Sequence, residues 1–166
     1  MLCAVILSPG ILASGQTEDQ SGVVEPSFAL SVTAAQDAVK AGSSVTLTIT
    51  LTNTSDRKIQ VVKEAGGRGP LDLRLDVRDG QGNTVRRAGP KLSKEKNGRI
   101  VKHIYVWASS VTNVDLPPGQ KVTDVLPVDR LFDLTQPGKY SIQASRYDSE
   151  TKTWVKSNTV TVTVTQ

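Results

Sequence analysis

A strict alternation of apolar and polar residues constrains this chain more than any other feature of its sequence. Apolar side chains occupy every second position of residues 44–53, namely Val45, Leu47, Ile49 and Leu51. A period of two brings side chains of an extended strand to the same face of a sheet. Residues 44–53 are therefore predicted to form a strand with one face in a core.

The same alternation recurs along the chain, with segments rich in Gly, Pro, Asn and Asp between the alternating stretches. Such spacing, without an amphipathic helical period, is typical of an all-β sandwich. We therefore expect about eight to ten strands in one domain. The domain is predicted to span residues 27–166, and the sequence contains no internal repeat.

A corner near the carboxyl-terminal end of the chain indicates which class of β-sandwich it forms. Residues 129–133 are too short for an independent helix, and Pro137 and Gly138 then interrupt the chain. Beyond them Tyr140 and Ile142 alternate with polar residues, as in a half-buried strand. The order is a short helical turn, then Pro-Gly, then Tyr-x-apolar.

This order resembles the E–F corner of immunoglobulin-like domains, and the chain is similar to the secreted bacterial, fibronectin-III-like members of that class. The resemblance implies an antiparallel Ig-like sandwich in which the Tyr140 hydroxyl bonds to the backbone just upstream. It also implies that Ile142 occupies the position of the second intersheet cysteine. The sandwich is thus expected to have no disulfide.

The amino-terminal residues predict export. Residues 1–13 are mostly apolar and end near the small residues Ala13, Ser14 and Gly15, as in a signal peptide over residues 1–15. No Lys or Arg precedes residue 40, so the positive region of a signal is missing and a non-signal interpretation stays open. The apolar run is too short for a stable membrane anchor. We expect a flexible leader over residues 16–26 and a secreted, periplasmic or cell-envelope location.

The residue types argue against an enzyme. Cys3 is the only cysteine and would be lost with the signal, and His103 is the only histidine, in an apolar strand. A catalytic triad needs a histidine between its nucleophile and its acid, and His103 is better explained as a structural side chain. Asp76, Asp79 and Asn83 could offer oxygen ligands to calcium, but their spacing departs from the EF-hand order. We expect no cofactor and no metal.

A basic insertion interrupts the pattern at residues 86–102. The chain carries 20 Lys and Arg against 16 Asp and Glu, and the insertion holds many of the cations. They are Arg86, Arg87, Lys91, Lys94, Lys96, Arg99 and Lys102. Such a cluster could bind a polyanion by counterion release, but it lacks aromatic residues on which bases could stack. A solvated loop without nucleic-acid binding is the favoured interpretation.

Tyr147 and Trp154 flank one predicted hairpin. They form either a cross-strand pair that stabilises the hairpin or a carbohydrate-binding surface of exposed aromatic rings.

The functional expectation is a structural or protein-interaction module whose partner is a protein rather than a small molecule. Polyanion binding through the basic insertion and carbohydrate binding through exposed aromatic residues are the alternatives. A loop-mediated protease inhibitor is a further one, although no reactive-site motif supports it.

Overall fold

The computed structural model of the chain describes residues 25–64, 73–88, 91–94, 100–103 and 111–166. Eleven strands lie in these ranges, and no α-helix occurs within them. The strands are β1 Phe28–Ala34, β2 Ala38–Lys40, β3 Thr46–Asn53, β4 Ile59–Glu64, β5 Leu73–Arg78, β6 Lys91–Lys94, β7 Ile100–His103, β8 Val111–Leu116, β9 Lys121–Pro127, β10 Gly138–Asp148 and β11 Thr153–Thr165.

Two sheets form the layers of the sandwich. One has the strand order β1-β3-β9, and the other has the order β2-β11-β10-β5. A single core cluster joins them, since it contains Leu47 and Ile49 of β3 together with Val77 of β5 and Ile142 of β10. The predicted all-β, Ig-like sandwich is confirmed. Its sheets are not antiparallel throughout, because the chain crosses between the layers after β1 and β2 then joins β11 in parallel.

Two smaller ribbons extend this framework. Strands β4 and β8 pair with each other, and so do β6 and β7. Most of the β6–β7 hairpin lies within residues 86–102, so part of the basic insertion is regular structure where an irregular loop was expected. Strand β7 overlaps the apolar strand in which His103 was expected, whereas the four-residue β6 is too short for an alternating pattern to stand out in the sequence. The same reason explains why the three-residue β2 was not predicted.

The apolar interior is divided into two clusters. The larger cluster lies between the two sheets, where alternate residues of β3, β10 and β11 meet. The smaller one lies at the end of the sandwich beside the β4–β8 ribbon and includes Phe28, Leu51, Ile59 and Val155. Strand β3 shows how the sequence builds this core: half-exposed threonines alternate with buried Leu47, Ile49 and Leu51, and the strand ends at the buried Asn53.

The corner before β10 has the geometry that the resemblance to Ig-like domains implies. A short 3-10 helix, Val128–Arg130, precedes it. The Tyr140 hydroxyl donates a hydrogen bond of 2.7 Å to the backbone carbonyl oxygen of Gln136. Burial raises the pKa of this phenol, with smaller contributions from the charges of Asp133 and Asp79. The hydroxyl therefore stays protonated and able to donate. Ile142, two residues on, is fully buried in the core.

Candidate functional site

Three side chains form an exposed cluster on the outer face of the sheet that contains β5, β10 and β11. Tyr147 and Trp154 lie directly opposite each other in the β10–β11 register, and their ring centroids are 5.5 Å apart at an interplanar angle of 56°. The guanidinium carbon of Arg74 lies 4.0 Å from the centroid of the Trp154 ring. We call Arg74, Tyr147 and Trp154 the aromatic patch.

A β-bulge in β11 places Trp154 on this outer face. Gln143 pairs with Thr159 whereas Ser145 pairs with Lys156, so one residue of β10 lies opposite two residues of β11. The Ser157 hydroxyl takes the place of a ladder carbonyl and accepts a hydrogen bond of 2.9 Å from the Ala144 N–H. The buried side chains of β11 are therefore at odd-numbered positions before the bulge and at even-numbered positions after it. Val155 is buried before it, and Val162 is buried after it.

The patch is exposed to solvent although it is built of large apolar groups. Tyr147 and Trp154 are each 41% exposed, which is unusual among the large hydrophobic side chains that the structure describes. Val125 of β9, on the other sheet, is also exposed. A hairpin gains about 0.5–1.5 kcal/mol from an aromatic pair. That gain explains why the rings contact each other, but it does not require them to remain exposed.

Arg74 changes the chemistry of the patch. The predicted cross-strand pair of Tyr147 and Trp154 is present, and the structure adds a cation over one face of the indole ring. A sugar that stacks on Trp154 would have to displace this guanidinium from that face. The sequence alone does not assign Arg74 to the patch, because nothing in its local sequence signals a tryptophan on a strand two positions away in the sheet.

A cleft of about 640 Å³ opens beside the patch. Its walls include all three patch residues, Gln60 of β4 and part of the smaller apolar cluster. Arg146 also lines it and is 6% exposed, with its guanidinium carbon 5.8 Å from the Phe28 ring centroid. The cleft thus joins apolar surface and charged groups beneath the rim that Tyr147 and Trp154 form.

Asp148 secures the wall of this cleft. It is 2% exposed, and its carboxylate accepts hydrogen bonds from the Ser27 N–H at 2.7 Å and the Glu150 N–H at 3.0 Å. Burial by itself would raise the pKa of this carboxyl. The hydrogen bonds from Ser27, Glu150 and Thr151 outweigh burial, so the pKa of Asp148 is lowered overall. The carboxylate ties the start of β1 to the β10–β11 hairpin.

We expect Asp148→Asn to destabilise the domain by about 1–3 kcal/mol at pH 7, because two charge-assisted hydrogen bonds are weakened. Since the folded-state pKa is lowered, the stability that the carboxylate contributes is present above its ordinary pKa of about 3.9 and is lost as the pH falls through the folded value. The difference in urea unfolding free energy between wild type and variant should therefore close in acid.

Asp56→Asn is the matched control, since Asp56 is exposed and should change stability by less than about 0.5 kcal/mol at both pH values. A difference between wild type and Asp148→Asn that persists unchanged at acidic pH would contradict this role for Asp148.

The structure describes the first two cations of the basic insertion. Arg86 forms an exposed ion pair of 3.2 Å with Asp133. Arg87 forms a β-bridge with Phe132, and its guanidinium carbon lies 5.5 Å from the Phe132 ring centroid. Hydrogen bonds from the side chains of Thr135 and Arg86 lower the pKa of the Asp133 carboxyl. These two arginines are therefore engaged with the corner that precedes β10.

Three of the other predicted polyanion contacts lie on the β6–β7 hairpin. Lys91, Lys94 and Lys102 are known by their backbone positions in the β6–β7 hairpin, and Lys96 and Arg99 lie outside the described residues. His103 likewise is placed by its backbone alone, opposite Lys91. The polyanion hypothesis for residues 86–102 therefore stays a prediction.

The acidic residues that were considered as calcium ligands have local partners. Asp79 accepts hydrogen bonds from the backbone N–H groups of Gln81 and Asn83, and its pKa is lowered, chiefly by the bond from Asn83. Asp76 forms an ion pair of 3.0 Å with Arg78. Within the described ranges, no group of three or more His, Cys, Asp or Glu side chains could hold a metal ion. Nor does any helix in these ranges have the length and apolar character to cross a membrane.

No protein-family model matches the chain, and no curated protein matches it either. Solved structures resemble it at low identity. A CARDB domain from Pyrococcus furiosus, solved in complex with di-metal ions, is 14% identical with a TM-score of 0.45, and the match covers 84% of this chain and 89% of that one. A β-glucosidase from Listeria innocua, in complex with glucose, is 14% identical with a TM-score of 0.44 over 85% of this chain and 16% of that one.

The sporulation control protein Spo0M from Bacillus subtilis is 12% identical, with a TM-score of 0.42 over 84% of this chain and 50% of that one. This chain thus spans about half of that protein and a small part of the glucosidase. These likenesses carry no argument about activity or ligand. The sheets and the tyrosine corner make the chain an Ig-like β-sandwich domain.

Proposed function

We propose that this chain is a non-catalytic Ig-like module that binds a partner protein through the aromatic patch. The observation that carries the proposal is the exposed contact of Trp154 with both Tyr147 and Arg74 on a regular sheet. Trp, Tyr and Arg are the residue types most enriched among the side chains that contribute most to protein–protein binding.

The position of the patch supports the same function. Tyr147 and Trp154 project from paired strands, so their backbones are held by the ladder and little ordering is needed when a partner binds. The cleft beside them offers a place for an apolar side chain of the partner. Such an anchor in a pocket is the usual arrangement at the centre of a protein interface.

Binding is favoured over catalysis by the chemistry of the patch. Arg74, Tyr147 and Trp154 provide contact area, a fixed positive charge and hydrogen-bond donors. None of them is a histidine, a carboxylate or a thiol, the side chains that most often serve as general base or nucleophile. Protein binding is favoured over carbohydrate binding because Arg74 covers one face of Trp154.

A photo-crosslinking amino acid at Thr159 tests the proposal in the native host. Thr159 is exposed on the same outer face, near Lys156 and the patch, whereas the control position Thr123 is exposed on the other sheet. We expect a discrete protein adduct from position 159 and none of the same mass from position 123. Adding Trp154→Ala to the chain with the probe at 159 should lower the adduct yield about tenfold or more.

The Trp154→Ala change is expected to leave the domain folded, because it removes one exposed aromatic pair and one exposed cation–π contact, each of about 1 kcal/mol. Thermal unfolding of the variant checks this point. An adduct that forms equally from positions 123 and 159, or that persists in folded Trp154→Ala, would refute binding through the patch.

A further inference from the structure

The outer face of β5, β10 and β11 carries an ordered array of side chains around the aromatic patch. Ser145 of β10 pairs with Arg74 on one side and with Lys156 on the other, so two cations lie in one row across the sheet. Tyr147 and Trp154 form the adjoining row at the end of the face. The two aromatic rings are thus next to a row that is cationic at both ends.

This outer face is positively charged. Its charged residues on the three strands are Arg74, Asp76, Arg78, Lys139 and Lys156, so four cations and one anion give 4 − 1 = +3. Arg78 is paired with Asp76 at 3.0 Å. Among the described residues, no acidic side chain forms an ion pair with Lys139 or Lys156. The positive charge of the face is therefore available to a partner.

The outer face of the opposite sheet differs in both its charge and its exposed aromatic surface. Its exposed positions on β1, β3 and β9 are mostly Ser, Thr and Ala, with Lys121 as the charged residue and Val125 as the large apolar one. No aromatic side chain of β1, β3 or β9 lies on it. Charge and exposed aromatic surface therefore coincide on one face of the sandwich, which solubility alone does not require.

The dimensions of the face restrict what can bind. The axes of β5 and β11 are about 10 Å apart, since β10 lies between them and neighbouring strands are spaced by about 4.8 Å. From Tyr147 to Lys139 the face extends about 27 Å at about 3.4 Å per residue. A strip of this shape matches a single extended segment better than the surface of a folded domain.

We propose that the partner contributes an acidic segment that carries an apolar or aromatic side chain. Carboxylates of the segment pair with Arg74 and Lys156, and the apolar side chain packs on Tyr147 and Trp154 at the mouth of the cleft. The inference rests on the proposed function and specifies the chemistry of the partner. Charge complementarity selects an acidic partner, and the cleft with its apolar lining selects a polypeptide with an apolar side chain over an acidic polysaccharide.

Immobilised polymers of known composition test this inference with the full chain. The probes are a random copolymer of glutamate and tyrosine, poly-glutamate and heparin, each measured by biolayer interferometry at about 0.15 M salt. We expect the copolymer to bind about tenfold or more tightly than poly-glutamate, because only the copolymer offers rings to the patch. In Trp154→Ala this preference should disappear.

The double variant Arg74→Gln/Lys156→Gln should weaken copolymer binding about tenfold or more. The matched control is Lys121→Gln/Arg130→Gln, which removes the same charge at two exposed positions outside the face. It should change binding less than about threefold. Thermal unfolding of each variant separates lost binding from lost structure.

Three results would overturn the acidic-segment inference: equal losses in both double variants, heparin binding tighter than the copolymer, or no binding of the copolymer. Equal losses would mean that the chain attracts anions without a defined site. Heparin preference that depends on Arg74 and Lys156 would identify a polysaccharide instead. The adduct from position 159 reports separately on protein binding through the patch, so failure of the acidic-segment inference can be told apart from failure of the proposed function.

Discussion

Replacing Ile142 with alanine is expected to destabilise the domain by about 2–5 kcal/mol. Ile142 is 0% exposed, and its neighbours in the sheet are Val77 on β5 and Val160 on β11. It lies in the core cluster that joins the two layers. Shortening it removes apolar contacts and leaves a cavity that rigid sheet neighbours cannot fill. A urea titration followed by circular dichroism measures the loss.

Two further variants are compared with Ile142→Ala in the same unfolding measurement. Tyr140→Phe keeps the buried ring but removes the hydroxyl that donates to Gln136, so we expect a loss of about 1 kcal/mol. Val125→Ala shortens a side chain that is 49% exposed and should cost less than about 0.5 kcal/mol. Equal and negligible losses from Ile142→Ala and Tyr140→Phe would contradict their places in the core and the corner.

Asn53→Ala is the second change with a large expected effect, about 3 kcal/mol or more. Asn53 ends β3 and is 1% exposed. Its side-chain amide donates hydrogen bonds to the carbonyl oxygens of Arg57 at 2.7 Å and Leu116 at 2.8 Å. Its side-chain oxygen accepts bonds from the N–H and the hydroxyl of Ser55. Alanine would leave these groups without their partner at the junction of β3 with the β4–β8 ribbon.

Asn158→Ala provides a matched control, since it makes the same substitution at an exposed position of β11. The Asn158 amide accepts from the Val32 N–H and donates to the Val32 carbonyl oxygen, both at 2.9 Å, and so links β11 to the edge of β1. Water can replace these bonds because Asn158 is exposed, and we expect a loss of about 1 kcal/mol. The two variants are compared by urea unfolding; equal losses would show that burial of Asn53 contributes nothing.

The sequence by itself determined the strands that alternate over many residues. Strand β3 lies where the period of two predicts it, because one residue in two must face the core and the pattern leaves only one register for burial. The corner was also readable, since Pro137, Gly138 and Tyr140 act through local geometry. Tyr140 needs a carbonyl oxygen only four residues away, and a contact this close in sequence has a local signal.

The aromatic patch was decided by the tertiary structure. Extended without a break, the alternation of Val160, Val162 and Val164 would put Trp154 on the buried side, because all four positions are even. The bulge at Ser157 and Asn158 reverses the faces, and it depends on hydrogen bonds to β10 and to Val32 of the other sheet. Arg74 joins Trp154 only through the pairing of β5 with β10. These contacts link residues far apart in the chain, so no local pattern of residue types encodes them.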